Sequence, residues 1–169
     1  MRGDLHTLKR VCSYASVVMM AAEAVFAVLA VAMIALGISS FYSDDVRDMF
    51  TTLIRSGDSD LSVISGAIEM TVLFVAMFIT VKVIHDIMSS IMKEHSPFME
   101  GNEKGFKTVS ITYLIVAVPL TAFEYLNRED AILSVCILLV CILISVVMYC
   151  LTIIFRYGNI LQDESDRTL

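Results

Sequence analysis

Two acidic residues stand where acids are expensive. Glu23 lies in MAAEAVF and Glu69 in GAIEMTV, each inside a long apolar run. An ionisable side chain at membrane depth is costly, so by default it marks a function or a partner. Three readings are open. Two neutral glutamic acids can hydrogen-bond helices to one another. A carboxyl pair can handle a proton or cation, or form a polar pocket for a small amphiphilic ligand. Or the acids can meet the membrane helix of another protein. At 1.5 Å per residue, Glu23 stands about 18 Å from the inner start of its span and Glu69 about 12 Å below the outer start of the next. In a hydrocarbon core about 30 Å thick, the two carboxyls are then expected to share one level on antiparallel neighbours. No Lys or Arg is expected at that depth.

Other chemistry-bearing residues form no recognisable constellation. His85, Asp86, Glu94 and His95 cluster near the end of an apolar run, but their spacing fits no metal motif such as H-E-x-x-H. Lys82 and Asp86 are a favourable i,i+4 pair, so the expectation for this group is solvation at the interface. Cys12, Cys136, Cys141 and Cys150 lie in or beside apolar runs, without the spacing of a disulfide framework or zinc site. They read as small apolar packers. There is no Gly-rich phosphate loop, nucleophile elbow or Ser/His/Asp set, so neither an enzyme, a cofactor nor a metal site is expected.

The elements that must carry these residues are membrane helices. The chain has 169 residues, 57% of them hydrophobic and 18% charged. A soluble domain of this length could not hide so much apolar surface. Four segments reach the roughly 20 residues that a crossing needs: 11–38, 61–84, 108–126 and 131–155. The first follows Lys9 and Arg10, yet its apolar run is far longer than the core of a cleaved signal peptide. Each span must satisfy its backbone internally and is therefore a helix. Nine Lys and Arg flank one side of this topology (Arg2, Lys9, Arg10, Lys82, Lys93, Lys104, Lys107, Arg156 and Arg167). Three flank the other: Arg47, Arg55 and Arg128. That imbalance predicts both termini in the cytoplasm and a cell-membrane location. The fold class expected is an all-α integral membrane protein, residues 1–169 forming one membrane domain.

The connections are patterned too. Between the first two spans, Val46, Met49, Phe50, Leu53 and Ile54 repeat at helical spacing after Asp44 and Asp45 and before Gly57. This predicts a short extracytoplasmic amphipathic helix, either a lid on its own spans or a docking surface. In the inner connection, Ser96-Pro97 suits a helix start, and Asn102 is a second N-cap candidate. Pro119 predicts a kink in the third span. Within the spans, small and hydroxylated residues form stripes: Ser16, Ala27, Ala30 and Gly37 around Glu23; Ser62, Ser65, Gly66, Ala76 and Thr80 around Glu69. The third span offers Ser110, Tyr113, Ala117, Thr121 and Glu124, the fourth Ser134, Leu138, Cys141, Ser145, Met148 and Thr152. Such stripes let helices approach and hydrogen-bond, which predicts a compact four-transmembrane-helix bundle with a modestly polar interior.

The chain closes with FRYGNILQDESDRTL. This ending, together with SPFMEGNEKGF in the inner connection, resembles the YoaS-like membrane proteins of bacteria and archaea, a family without an established activity. The residues that carry the likeness are Pro97, Phe98 and Asn102, then Gly158, Leu161, Gln162, Glu164, Asp166, Thr168 and Leu169. Arg167 stands where the family usually has an acid. The resemblance implies four spans, cytoplasmic placement of both motifs and, by genetic association, a small helix-turn-helix regulator as partner. Phe98 is then expected to pack at the base of the helices and Gly158 to ease the backbone out of the fourth. Gln162, Asp163, Glu164 and Asp166 are left either to dock a basic partner, to fold back on the inner connection, or to stay mobile. With a net charge of −6, direct nucleic-acid binding is not expected. The partners expected are the lipid bilayer and that regulator, with self-association compatible. The runner-up is a small transporter or ion-handling protein using Glu23 and Glu69.

Overall fold

Apolar runs of this length leave the backbone no partner but itself, and the computed structural model is helical accordingly. It describes residues 2–93 and 100–167. Five helices follow in order: α1 (Arg2–Ser39), α2 (Asp44–Ile54), α3 (Asp60–Met92), α4 (Glu100–Arg128) and α5 (Ala131–Arg167). All but α2 are long and apolar enough to cross a membrane. Pro97, Phe98 and Leu169 lie outside the described residues, as does the side chain of Asp166.

Local chemistry fixes where helices start and stop. Ser59 caps α3, its side chain accepting from the Ser62 amide, the N-cap geometry that satisfies an orphan donor. Asp130 does the same for α5, its Oδ1 accepting from the amides of Ile132 and Leu133 at 3.0 and 3.1 Å. Before it, Glu129 adopts a left-handed φ of 52°, which turns the chain between α4 and α5 in two residues. Helix α2 ends on Arg55, also left-handed at φ 53°, two residues before Gly57.

The helices do not close into the compact bundle expected. Helix α3 packs against α1 on one side and α4 on the other, and α5 packs against α4; among the described residues, α1 approaches neither α4 nor α5. The spans therefore stand in chain order as an open row. Helices α3 and α4 each pack against two neighbouring spans, while α1 and α5 each bury one seam.

Those seams are legible at heptad spacing. On α1, Cys12, Ser16, Ala30, Met33 and Gly37 are buried and Glu23 half-buried, whereas Ala27 faces outward. A Cβ added at Gly37 would meet the Ala67 Cβ at 2.7 Å, so glycine sets the approach of α1 to α3. On α5, Ser134, Cys141, Ser145 and Thr152 are buried. Ser110 and Ser145 each donate from the hydroxyl to the other's carbonyl, both at 2.9 Å. In lipid there is little hydrophobic drive between helices, so close packing and such bonds carry the association.

Helix α2 lies across one end of α1 and α3. Phe50 and Ile54 are buried while Met49 and Leu53 face out, so the amphipathic helix foreseen from the spacing exists and serves as a cover. Arg47 ties it down through Asp58 at 2.9 Å and Asp60 at 2.8 Å.

Three expectations at the opposite end are corrected. Asn102 lies inside α4 and is buried rather than capping its start. Gly158 does not release the backbone, because α5 runs on helically to Arg167. Residues 156–167 are thus no separate tail but about 18 Å of continued helix. Phe155, at the root of this extension, packs in a tilted arrangement on Phe106, 4.8 Å between ring centroids.

Candidate functional site

The two intramembrane acids have separate partners. Glu23 on α1 pairs with His85 on α3, Oε1 to Nδ1 at 2.6 Å, with 17% and 23% of the side chains exposed. Glu69 lies sixteen residues before His85 on the same helix, about 24 Å along its axis. The expectation of one shared level is therefore overturned. Helix α1 runs antiparallel to α3, and the register that brings Gly37 to Ala67 carries Glu23 towards the far end of α3. His85 is correspondingly a partner for a buried acid and not merely an interfacial residue.

Glu69 belongs to a network built on α3 and α4. Ser65 donates its hydroxyl to the Asn127 Oδ1, and Asn127 donates through Nδ2 to the Glu69 Oε2 at 2.6 Å. The Glu124 carboxyl lies close enough to that of Glu69 to act on it electrostatically. Glu124 in turn pairs through Oε1 with Arg128, one helical turn on. Arg128 also donates to the Ile54 carbonyl at 3.0 Å, which connects the cover helix α2 to the network. The expectation that no cation reaches this depth is corrected by Arg128.

Burial makes this arrangement demanding. Glu124 is 1% exposed and Glu69 7%. Among the described residues, Glu124 Oε2 and Arg128 Nε are buried without a hydrogen-bond partner, a condition that is rare and costly for native polar atoms. Glu124 had been read only as part of an interhelical stripe, and Asn127 and Arg128 not as site residues at all. The four-residue spacing of Glu124 and Arg128 was the available signal; that it faces Glu69 depends on how α3 and α4 pack.

The network opens onto a groove of about 390 Å³ between α3 and α5, floored by α4. Glu69 stands at one end and Leu73, Met77, Tyr113, Leu120, Cys136 and Val140 line the apolar remainder. This volume falls near the lower end of small-molecule pockets, about 300–1,000 Å³. Among the described residues no group of three or more His, Cys, Asp or Glu is placed to hold a metal. All four cysteines are free, Cys12 and Cys141 buried and Cys136 and Cys150 exposed on the surface of the helices.

The cytoplasmic-motif candidates divide. Asn102 is buried on α4. Gly158 and Gln162 are half-buried on α5, while Leu161, Asp163 and Glu164 are exposed. The antiparallel register of Phe106 against Phe155 brings Asn102 and Gly158 to the same end of the α4–α5 pair. In comparisons with known proteins, no family model, curated protein or solved structure matches the chain.

Proposed function

We propose that this is a non-enzymatic multi-pass protein of the cell membrane, with both termini cytoplasmic, that acts as a sensor or accessory for a cytoplasmic helix-turn-helix regulator. The observation that carries the reading is the continuation of α5 through Arg167. At about 56 Å, α5 exceeds a 30 Å hydrocarbon core by many residues. Its extension exposes Tyr157, Ile160 and Leu161 beside Asp163 and Glu164. A projecting helix with apolar and acidic positions suits recognition of a basic protein surface. Orientation rests on the excess of Lys and Arg at this end, and α2 is then extracytoplasmic. The test is co-purification from native membranes using the full chain and a version ending at Arg156. A helix-turn-helix protein recovered only with the full chain supports the reading; recovery of none with either chain defeats it.

A second reading, proton or cation handling, is favoured by the charge count at Glu69. Two carboxylates face one guanidinium, leaving the network one positive charge short when both acids are ionised. Glu23 drops out of that site because His85 engages it far along α3. In proteoliposomes, this reading expects proton- or cation-linked flux that Glu69→Gln abolishes. Flux equal to that of protein-free vesicles would remove it.

A further inference from the structure

We propose that the groove between α3 and α5 is a binding site for an organic cation with a bulky apolar body, its charge held by Glu69, with Glu124 buried behind it. The inference deepens the second reading above and rests on its charge deficit, but it concerns binding and does not require transport.

Three observations carry it. The groove is apolar along its length, with Leu73 and Met77 from α3, Leu120 from α4, and Ile137, Val140 and Ile144 from α5. Its acidic end is Glu69, backed by Glu124, whose Oε2 is fully buried and lacks a donor. The third observation is the local charge. The groups acting on the Glu69 carboxyl are Glu124, Asn127 and Arg128; α5 adds only the thiols of Cys136 and Cys141 to the groove, and α4 the phenol of Tyr113. One guanidinium cannot neutralise two carboxylates, and a buried uncompensated charge is strongly unfavourable. A bound cation supplies the missing positive charge. A lipid acyl chain would fill the apolar part yet leave the deficit untouched. An anion would double it.

The experiment uses the full chain in lipid nanodiscs and two probes of nearly equal shape and opposite charge, tetraphenylphosphonium and tetraphenylborate. The expected result is saturable tetraphenylphosphonium binding that exceeds empty nanodiscs, with no saturable tetraphenylborate binding. Glu69→Gln and Glu124→Gln should each lower affinity at least about tenfold, the equivalent of a lost buried charge interaction. Because acid substitutions can disturb folding, Cys136→Phe provides an independent arm: it narrows the groove while leaving both acids in place and should weaken binding while circular dichroism stays unchanged. The proposal is overturned if cation uptake is no greater than in empty nanodiscs, if both probes bind alike, or if a folded Cys136→Phe chain binds as the parent does. Binding without flux in proteoliposomes would uphold the site and defeat the transport reading alone; flux without tetraphenylphosphonium binding would do the reverse.

Discussion

Glu23 Oε1 and His85 Nδ1 meet at 2.6 Å across the α1–α3 interface, joining the first span to the second near the end opposite α2. Removing either partner strands the other in a mostly buried setting. Glu23→Ala and His85→Ala are each expected to destabilise the protein by about 1–3 kcal/mol. The double substitution should cost clearly less than their sum in a detergent-denaturation cycle. Strict additivity would mean that the pair is not formed.

Gly37 is expected to be intolerant of even one added carbon. An alanine Cβ would stand 2.7 Å from the Ala67 Cβ, and both atoms are fixed to helix backbones, so α1 and α3 must separate. Overpacking of this kind costs about 1–3 kcal/mol. Pairing Gly37→Ala with Ala67→Gly should recover much of the loss, measured as midpoint of thermal unfolding in detergent.

The reciprocal serine bonds between α4 and α5 offer a third measurement. Ser110→Ala combined with Ser145→Ala should reveal a coupling of about 0.6 kcal/mol, and no more than about 1.7, the range known for polar contacts between membrane helices. A coupling near zero would leave close packing alone to hold this interface.

Arg128 should matter through Glu124. Arg128→Met leaves a carboxylate that is 1% exposed without its cation, and breaking a buried pair from one side costs about 3–5 kcal/mol. A quarter of the Arg128 side chain reaches the surface, which argues for the lower part of that range. The double change Glu124→Gln with Arg128→Met removes both charges and should be milder than Arg128→Met alone.

The tether of α2 has a pH signature with a definite sign. Hydrogen bonds donated to Asp60, then to Asp58, hold the Arg47 guanidinium above its already high ordinary range. A cation so raised contributes below its unfolded pKa and loses its contribution only as pH climbs through the folded one. The tether should therefore persist unchanged through the alkaline range, yet weaken as salt rises, because the ion pairs are exposed. Hydrogen exchange at the α2 amides checks both trends, with Arg47→Ala as the untethered reference.

What could be read from sequence was whatever repeats along one helix. Seams such as Ser134–Cys141–Ser145–Thr152 are periodic, and the structure buries them as the spacing implied. The amphipathic pattern of α2 likewise fixed which face Phe50 and Ile54 would hide. What failed depended on register between helices. Glu23 was assigned the level of Glu69 by counting from span ends, but α1 runs helically from Arg2 and α3 to Met92, so the ends used for counting were not the ends of the helices. Arg128, near the end of α4, counted only as a flanking charge, and Asn127 beside it carried no reading at all. Only the approach of α4 to α3 turns them towards Glu69.

The open row has a consequence for how the protein is made. Each span rests on a span that has already been synthesised: α3 on α1, α4 on α3, α5 on α4. A closed ring of helices must wait for its last member before its first is fully packed. Here assembly can keep pace with the ribosome, which delivers amino-terminal segments first. Chains halted after Met92 should already hold the α1–α3 pair in its final register, and a cross-link between Phe26→Cys and Phe74→Cys, at positions whose rings lie 6.3 Å apart across this interface, would report it. Insertion of α4 then closes the Glu69 network, and α5 completes the groove only at the end of synthesis. The intramembrane site is thus the last feature to mature, however early its first acid enters the bilayer.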